Sequence, residues 1–311
     1  MIVLITGICG FVGPYLERCL LEKGHIVFGT SRIKRSNPNY FSLDLTCEQD
    51  IISLLNRLKP TCIFHLAGIS NVKQSWNLKK ETFEANTIST INLLEAVKKV
   101  DQNIRVITIG SSEEYGYLNH TSIQENAPLK PVNPYGASKA AVSMLAQQYY
   151  NADNLDIVHT RPFNHIGPGQ KQGFVTTDFA YQIALINSIY KHNKKTMKIG
   201  KLDAIRDFTD VRDVVDAYYK VALQGSAGQT YNICSGQGVE IKKILEILLS
   251  FSKKRITIKE NESLMKGIEV PIMIGNNDKI VTELNWSPQI TLEQSLYNIY
   301  QYWVNKINSN P

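Results

Sequence analysis

Ile2-Val3-Leu4-Ile5-Thr6-Gly7-Ile8-Cys9-Gly10-Phe11-Val12-Gly13 stands almost at the start of the chain. The apolar run Ile2 to Ile5 reads as a strand buried on both faces, as in a parallel sheet. Phe11 to Lys23 then carries helical spacing through Phe11, Tyr15, Leu16, Cys19 and Leu20. Between them, the glycines supply a turn free of Cβ strain. A strand, a glycine turn and a helix in direct succession let the backbone approach a pyrophosphate closely. They also aim unpaired helix N–H groups at the anion. Gly7, Gly10 and Gly13, with Phe11 and Val12 between them, are therefore the candidate dinucleotide cradle.

Working outward, two hydrophobic periods alternate. Strands are predicted at 25–30, 41–43, 61–66, 104–109 and 156–160, and helices at 48–58, 81–100 and 134–150. Strands separated by helices imply βαβ crossovers and a parallel sheet covered on both faces. The expectation is an α/β fold with a Rossmann-type, doubly wound sheet over residues 1–161. Past Arg161 the rhythm changes, with Gly and Pro clustered in Pro162 to Gly173 and a helix near Phe174 to Tyr190. Residues 162–311 are expected to form a smaller α/β substrate lobe, some segments of which return to the first domain. The site should lie beyond the C-terminal strand ends, as in other open α/β sheets.

Composition narrows the class of protein. Of 311 residues, 43% are hydrophobic and 20% charged, which suits a globular body that needs neither disulfide staples nor a structural metal. No stretch approaches the ~20 apolar residues of a spanning helix, and no basic leader or cleavage site precedes Ile2. A soluble, cytoplasmic protein without a membrane partner is expected. Cys9, Cys19, Cys47, Cys62 and Cys234 show no paired spacing and read as reduced thiols packed like small apolar residues, with no metal site. The net charge of +6 favours anionic ligands. The basic clusters Lys191 to Lys195 and Lys253-Lys254-Arg255 lack interleaved aromatics, so they read as solvated faces and not as a nucleic-acid site.

The dinucleotide is read where the second strand ends. An acid there would bind the ribose hydroxyls of NAD. The chain has Gly29-Thr30-Ser31-Arg32 instead, and Arg32 suits the 2′-phosphate of NADP(H), with NAD(H) as the alternative. Asp44 and Leu45 end the third strand, where a carboxylate can accept from the adenine amino group. Leu66, Ala67 and Gly68 end the fourth, small enough for the cofactor to lie along the backbone.

A second signal is Tyr135-Gly136-Ala137-Ser138-Lys139, at the start of a helix announced by Asn133-Pro134. Positions i and i+4 share a face, so the ammonium is expected to draw the phenol's pKa down from about 10. Such a phenol can exchange a proton near neutrality. Ser111-Ser112-Glu113-Glu114-Tyr115-Gly116 follows the fifth strand at the same sheet edge, where a serine hydroxyl can hold a reacting oxygen.

Gly7, Gly10, Gly13, Ser111, Tyr135 and Lys139 together resemble an extended short-chain dehydrogenase/reductase. Asn86-x-x-x-Thr90-x-Asn92-Leu93-Leu94-Glu95-Ala96 and Arg206-Asp207-Phe208-Thr209-Asp210-Val211-Arg212-Asp213 resemble the same family. Ser111 to Gly116, Thr160 to Gln170 and Gly173 to Phe179 are similar to its GDP-mannose-processing branch. Within that branch Glu269-Val270-Pro271 and Ile274-Gly275 look more like the reductases of GDP-4-keto-6-deoxymannose than the dehydratases. The resemblance implies NADPH-dependent reduction at C4 of the sugar, giving GDP-D-rhamnose. In it Tyr135 is the proton donor, Ser111 holds the oxygen, and Lys139 binds the nicotinamide ribose.

It also implies that Asn164 and Arg206 bind the nucleotide diphosphate, against a loop-fixing hydrogen bond and a surface ion pair as their ordinary readings. Ser112, Lys201, Lys266 and Glu269 are implied around the nucleotide sugar. Lys266 replaces the family's usual arginine, and Gly200-Lys201-Leu202 its common Gly-Asn-Leu. Glu113 stands where the branch's dehydratases place their C5 base, or else is a structural partner of a backbone amide. A GDP-mannose 4,6-dehydratase, alone or combined with the reductase, is thus the rival activity. The helices 81–100 and 134–150 imply a homodimer by analogy.

Overall fold

The computed structural model describes residues 1–33, 35–118, 122–188, 196–261 and 270–309. Lys266, Glu269 and the Lys191 to Lys195 cluster lie outside the described residues.

The chain alternates as its hydrophobic periods require. It runs β1 (Ile2–Thr6), α1 (Gly13–Glu22), β2 (Ile26–Ser31), β3 (Tyr40–Ser42), α2 (Glu48–Leu58) and β4 (Cys62–His65). Two short helices, α3 (Val72–Asn77) and α4 (Lys79–Phe83), lead through a π-helical turn at Glu84–Ile88 into α5 (Ser89–Val100). The sequence predicts one unbroken helix over 81–100, and the structure corrects this. Asn86, inside the wide turn, bonds away from the helix, accepting from Ile69 N–H at 2.7 Å and donating to Ser138 Oγ at 2.9 Å. Bulges of this kind arise where another partner draws a helix open.

β5 (Arg105–Ile109), α6 (Pro134–Asp153) and β6 (Ile157–Pro162) follow. β7 (Asn164–Ile166), α7 (Val175–Asn187), β8 (Thr196–Ile199), β9 (Ile205–Asp210) and α8 (Val211–Gln224) come next. The chain ends through β10 (Thr230–Ile233), β11 (Gly238–Glu240), α9 (Ile241–Ser250), β12 (Thr257–Glu260), β13 (Ile272–Met273), α10 (Asp278–Leu284) and α11 (Leu292–Ser309).

Seven strands form the central sheet in the order β10-β6-β5-β4-β1-β2-β3, every neighbouring pair parallel. This is the Rossmann-type doubly wound arrangement, with the order reversing between β1 and β4. Val3, Ile5, Leu16, Phe64, Val214, Tyr218 and Val221 share one core. Leu4, Ile51, Leu55, Ile63, Leu93, Val97 and Val106 share another. Alternate residues of β1 thus feed two cores, which is why Ile2 to Ile5 reads as a continuous apolar run. A third core joins α7, α9 and α11 around Phe179, Ile183, Ile244, Leu248 and Trp303. Over it, β9 pairs with β7, β11 and β13.

All five cysteines are free thiols. Only Cys62 and Cys234 are buried, with Cys19 partly so. Cys9 and Cys47 are exposed, contrary to the expectation that all five pack as small apolar residues. The glycine turn and the residue before α2 place these two at the surface.

Candidate active site

Parallel pairing brings the C-terminal ends of β1, β4, β5 and β6 to one edge. Thr6, His65, Thr108 and His159 stand in register across these strands, forming a buried polar row beneath that edge. Each polar atom in the row has a partner. Thr6 Oγ1 accepts from Ala67 N–H at 3.2 Å and meets His65 Nδ1 at 2.8 Å. His65 Nε2 lies 3.1 Å from Thr90 Oγ1, which donates to the Asn86 carbonyl at 2.6 Å. Because the Thr90 hydroxyl proton goes to the Asn86 carbonyl, His65 carries its proton on Nε2. Burial pushes its pKa down to about 3.

Above this row sits the glycine turn. Gly7 has φ +68°, and a Cβ there would come 2.8 Å from Ala67 Cα. A Cβ on Gly13 would come 2.0 Å from the Ile8 carbonyl oxygen. No side chain caps α1, whose preceding residue is Val12; Pro14 has no N–H and Tyr15 N–H donates to the Val12 carbonyl at 3.1 Å, so the N–H groups left to an anion are those of the turn up to Gly13. The turn, the positive φ and the uncapped helix fit a dinucleotide pyrophosphate. Arg32 is exposed just beyond β2, close enough to lower the pKa of the exposed Asp44. The larger cause of that shift is Thr46, whose N–H and hydroxyl both bond Asp44 Oδ1. Leu45 is buried, its carbonyl accepting from Asn92 at 3.0 Å. Leu66, Ala67 and Gly68 run directly after β4, beside the turn.

Ser111, Tyr135 and Lys139 are brought together and buried. The Ser111 hydroxyl lies close enough to the Tyr135 phenol to act on its pKa and accepts from Glu113 N–H at 3.2 Å. Asn133 caps α6 through its side-chain Oδ1, which accepts from Gly136 N–H at 2.8 Å, and this sets the helix start one residue before Tyr135. The same asparagine donates its amide to Glu113 Oε2 at 2.7 Å, so Glu113 is tied to a side chain and not to a backbone amide.

The expected fall in the Tyr135 pKa does not occur. Burial raises it well above 10, and the nearby Ser111 hydroxyl only partly offsets that. Lys139 Nζ donates to the Ile109 carbonyl at 2.7 Å, and burial pushes its own pKa down to about 8.

Three residues given no role by the sequence lie under Ser111. Glu114 accepts from Ser111 N–H at 2.8 Å, His159 Nε2 at 3.2 Å and Arg161 Nε at 2.7 Å. Burial alone would raise its carboxyl pKa, but His159, Arg161 and the Ser111 N–H hold it below the ordinary value. Ser111-x-x-Glu114 is a capping box, and that spacing is the signal that identifies Glu114 from sequence.

In the C-terminal part, Asn164 Nδ2 donates to the Asp207 carbonyl at 3.2 Å. The Asp207 carboxylate accepts from Ser235 N–H and hydroxyl and from Gly236 N–H, at 2.8, 2.6 and 2.9 Å. Arg206 lies on β9 beside β7, one nitrogen donating to the Ile205 carbonyl at 2.9 Å. Ser112 is buried next to Ser111, and Lys201 is exposed on the loop before β9.

Comparison with known proteins places this architecture in a family. The model of the GDP-mannose 4,6 dehydratase family matches residues 4–299. GDP-6-deoxy-D-mannose reductase of Pseudomonas aeruginosa is 32% identical over 307 residues, covering 98% of each chain. GDP-6-deoxy-D-talose 4-dehydrogenase of Aggregatibacter actinomycetemcomitans is 31% identical over 288 residues, 91% of each. A solved structure of RMD from Pseudomonas aeruginosa complexed with NADPH superimposes with a TM-score of 0.87 at 31% identity, covering 98% of this chain and all (100%) of the other. A family model matched over nearly the whole chain, on a fold that gathers the family's motif residues at one sheet edge, means that this chain belongs to the GDP-mannose 4,6-dehydratase family.

Proposed function

We propose that the protein reduces the C4 keto group of GDP-4-keto-6-deoxy-D-mannose with NADPH, giving GDP-D-rhamnose. One observation carries the reading: Ser111, Tyr135 and Lys139 are buried together, with Lys139 Nζ on the Ile109 carbonyl, at the sheet edge that also bears the pyrophosphate cradle. NADPH, held by the glycine turn with Arg32 at its 2′-phosphate, supplies the hydride when bound. The NADPH complex of the structural neighbour and its match to the reductase support this choice of cofactor.

Each role in the reaction follows from position. Tyr135, kept protonated by burial, gives its proton to the oxygen at sugar C4. Ser111 holds that oxygen. Lys139, cationic below about pH 8, binds the ribose hydroxyls beside it. Asn164 and Arg206 take the diphosphate, Arg206 with a planar donor suited to phosphate. Ser112, Lys201, Lys266 and Glu269 are assigned to the rest of the nucleotide sugar. The protein acts in the cytoplasm as a homodimer. Trp76, Phe83, Ile88 and Met144, all exposed on α3 to α6, supply an apolar face for a second copy.

A second activity has an observation in its favour. The Glu113 carboxylate acts electrostatically on Tyr135, where a base for removing the sugar's C5 proton would stand. The deciding experiment supplies GDP-4-keto-6-deoxymannose with NADPH, and separately GDP-mannose with trace NADP. Stoichiometric NADPH consumption with the keto sugar alone is expected. Tyr135→Phe should lower kcat by roughly 100- to 10,000-fold. Conversion of GDP-mannose without net cofactor use, abolished by Glu113→Gln, would make the protein a dehydratase instead.

A further inference from the structure

We infer that Glu114 is a positioning residue, which holds Ser111 where its hydroxyl meets the Tyr135 phenol. The inference rests on the roles proposed above for Ser111 and Tyr135, and it deepens them.

A fully buried carboxylate is costly unless it is paired and hydrogen-bonded. Here that cost is incurred at one residue of a three-residue 3-10 turn, Ser112–Glu114. A capping box ordinarily stabilises a helix, but this turn is too short to gain much from one. What the box does fix is Ser111. Glu114 Oε1 takes the Ser111 N–H, while the Ser111 hydroxyl takes the Glu113 N–H and is thereby aimed.

The opposite end of the carboxylate reaches the helix that carries Tyr135. Glu114 Oε2 accepts from Arg161 Nε, and Arg161 Nη2 donates to Ser143 Oγ on α6 at 2.9 Å. Arg161 Nη1 is held in turn by the Tyr115 hydroxyl at 3.0 Å and the Glu125 carbonyl at 2.9 Å. A buried chain therefore runs from the Ser111 backbone through Glu114 and Arg161 to α6. It sets the two members of the Ser111–Tyr135 pair against each other. His159, braced by Thr108 at 2.8 Å, closes the side of the carboxylate. There is no slack above it, since a Cβ on Gly110 would come 2.0 Å from Glu114 Oε1 and 2.4 Å from His159 Nε2.

The test is a double-mutant cycle. Glu114→Gln should lower kcat roughly tenfold, with KM and the NADPH Kd within about twofold. Ser111→Ala combined with Glu114→Gln should be no slower than Ser111→Ala alone, because the clamp has nothing left to place. Effects that multiply would overturn the inference, since general loosening of the fold slows both backgrounds alike. Ser143→Ala removes only the Arg161 contact on α6 and gives the same test more gently. There kcat should fall about twofold to fivefold, again without a further effect in Ser111→Ala.

A substrate-free readout separates this claim from the reductase reading. In protein isotope-labelled at the tyrosine Cζ, with Tyr135→Phe assigning the signal, the Tyr135 resonance reports how the Ser111 hydroxyl meets the phenol. Glu114→Gln should move that resonance in the Ser111 protein by more than it does in Ser111→Ala. Equal movement in both would leave only a through-space effect of the charge and would refute the positioning role. No turnover of the keto sugar by the unaltered protein would remove the substrate reading, while the resonance still decides the role of Glu114.

Discussion

The Phe11 ring lies nearly parallel to the His165 imidazole, 4° apart with centroids separated by 6.0 Å. Phe11 belongs to the glycine turn, and His165 follows Asn164 on β7. Tyr15, in the first turn of α1, donates its hydroxyl at 2.7 Å to the carbonyl of Pro168, in the loop after β7, and ties the same two regions. The proposed cofactor and diphosphate sites thus share a wall.

Phe11→Ala should therefore disturb both ligands at once. An offset aromatic stack is worth about 0.5–1.5 kcal/mol beyond its buried area. The NADPH Kd and the nucleotide-sugar KM are each expected to rise about three- to tenfold, with kcat within about threefold. Fluorescence titration and steady-state kinetics measure the two. A change confined to NADPH would show that the stack carries no load between the sites.

The alkaline side of cofactor binding should report Lys139. Burial holds its pKa at about 8, so its charge is present below that pH and lost above it. NADPH affinity is expected to weaken as pH rises through about 8, and Lys139→Met should weaken binding at neutral pH and flatten the profile. Titrations between pH 6.5 and 9.5, roughly the span that brackets this group, measure it.

Arg32 should set the choice between the two nicotinamide cofactors. Exposed at the end of β2, it is the cation proposed to meet a 2′-phosphate. Arg32→Ala is expected to raise the KM for NADPH at least about tenfold and leave that for NADH nearly unchanged. Equal effects on both would place the phosphate elsewhere.

Acid should loosen the fold through its buried histidines. Burial depresses the pKa values of His65, to about 3, and His159 below the ordinary histidine value. In the unfolded chain both protonate near pH 6.5, so the unfolded state binds more protons below that pH, and stability falls as pH drops. Each contributes up to about 1.4 kcal/mol per pH unit, His65 down to about pH 3. Denaturant unfolding at pH 7.5 and near pH 5, within that window, should show the loss. His65→Asn should reduce the slope.

Much of this molecule can be read from local pattern. Val3 and Ile5 face one core and Leu4 the other, and a strand covered on both sides leaves no other pattern than a solid apolar run. Gly7 and Gly13 are legible because backbone geometry excludes other residues there. What stays hidden depends on distant partners. The π-helical turn at Asn86 is invisible in a helical wheel because its cause, Ile69 and Ser138, lies elsewhere in the chain. The Tyr135 pKa is misjudged from i, i+4 spacing because burial, a property of the whole fold, outweighs a neighbour on the same helix. Arg161 reads as part of a motif, yet its partners Glu114, Glu125 and Ser143 come from three separate segments.

The sheet that begins at Ile2 is completed by Thr230–Ile233, which pairs with β6, while α8 supplies Val214, Tyr218 and Val221 to the core against β1. During synthesis, the first six strands must therefore wait, with one edge open and one face covered only by α1, until more than two hundred residues have left the ribosome. A chain cut after residue 161 inherits that waiting state for good. Such a fragment should be captured by chaperones or aggregate, however complete its cofactor motif looks on paper.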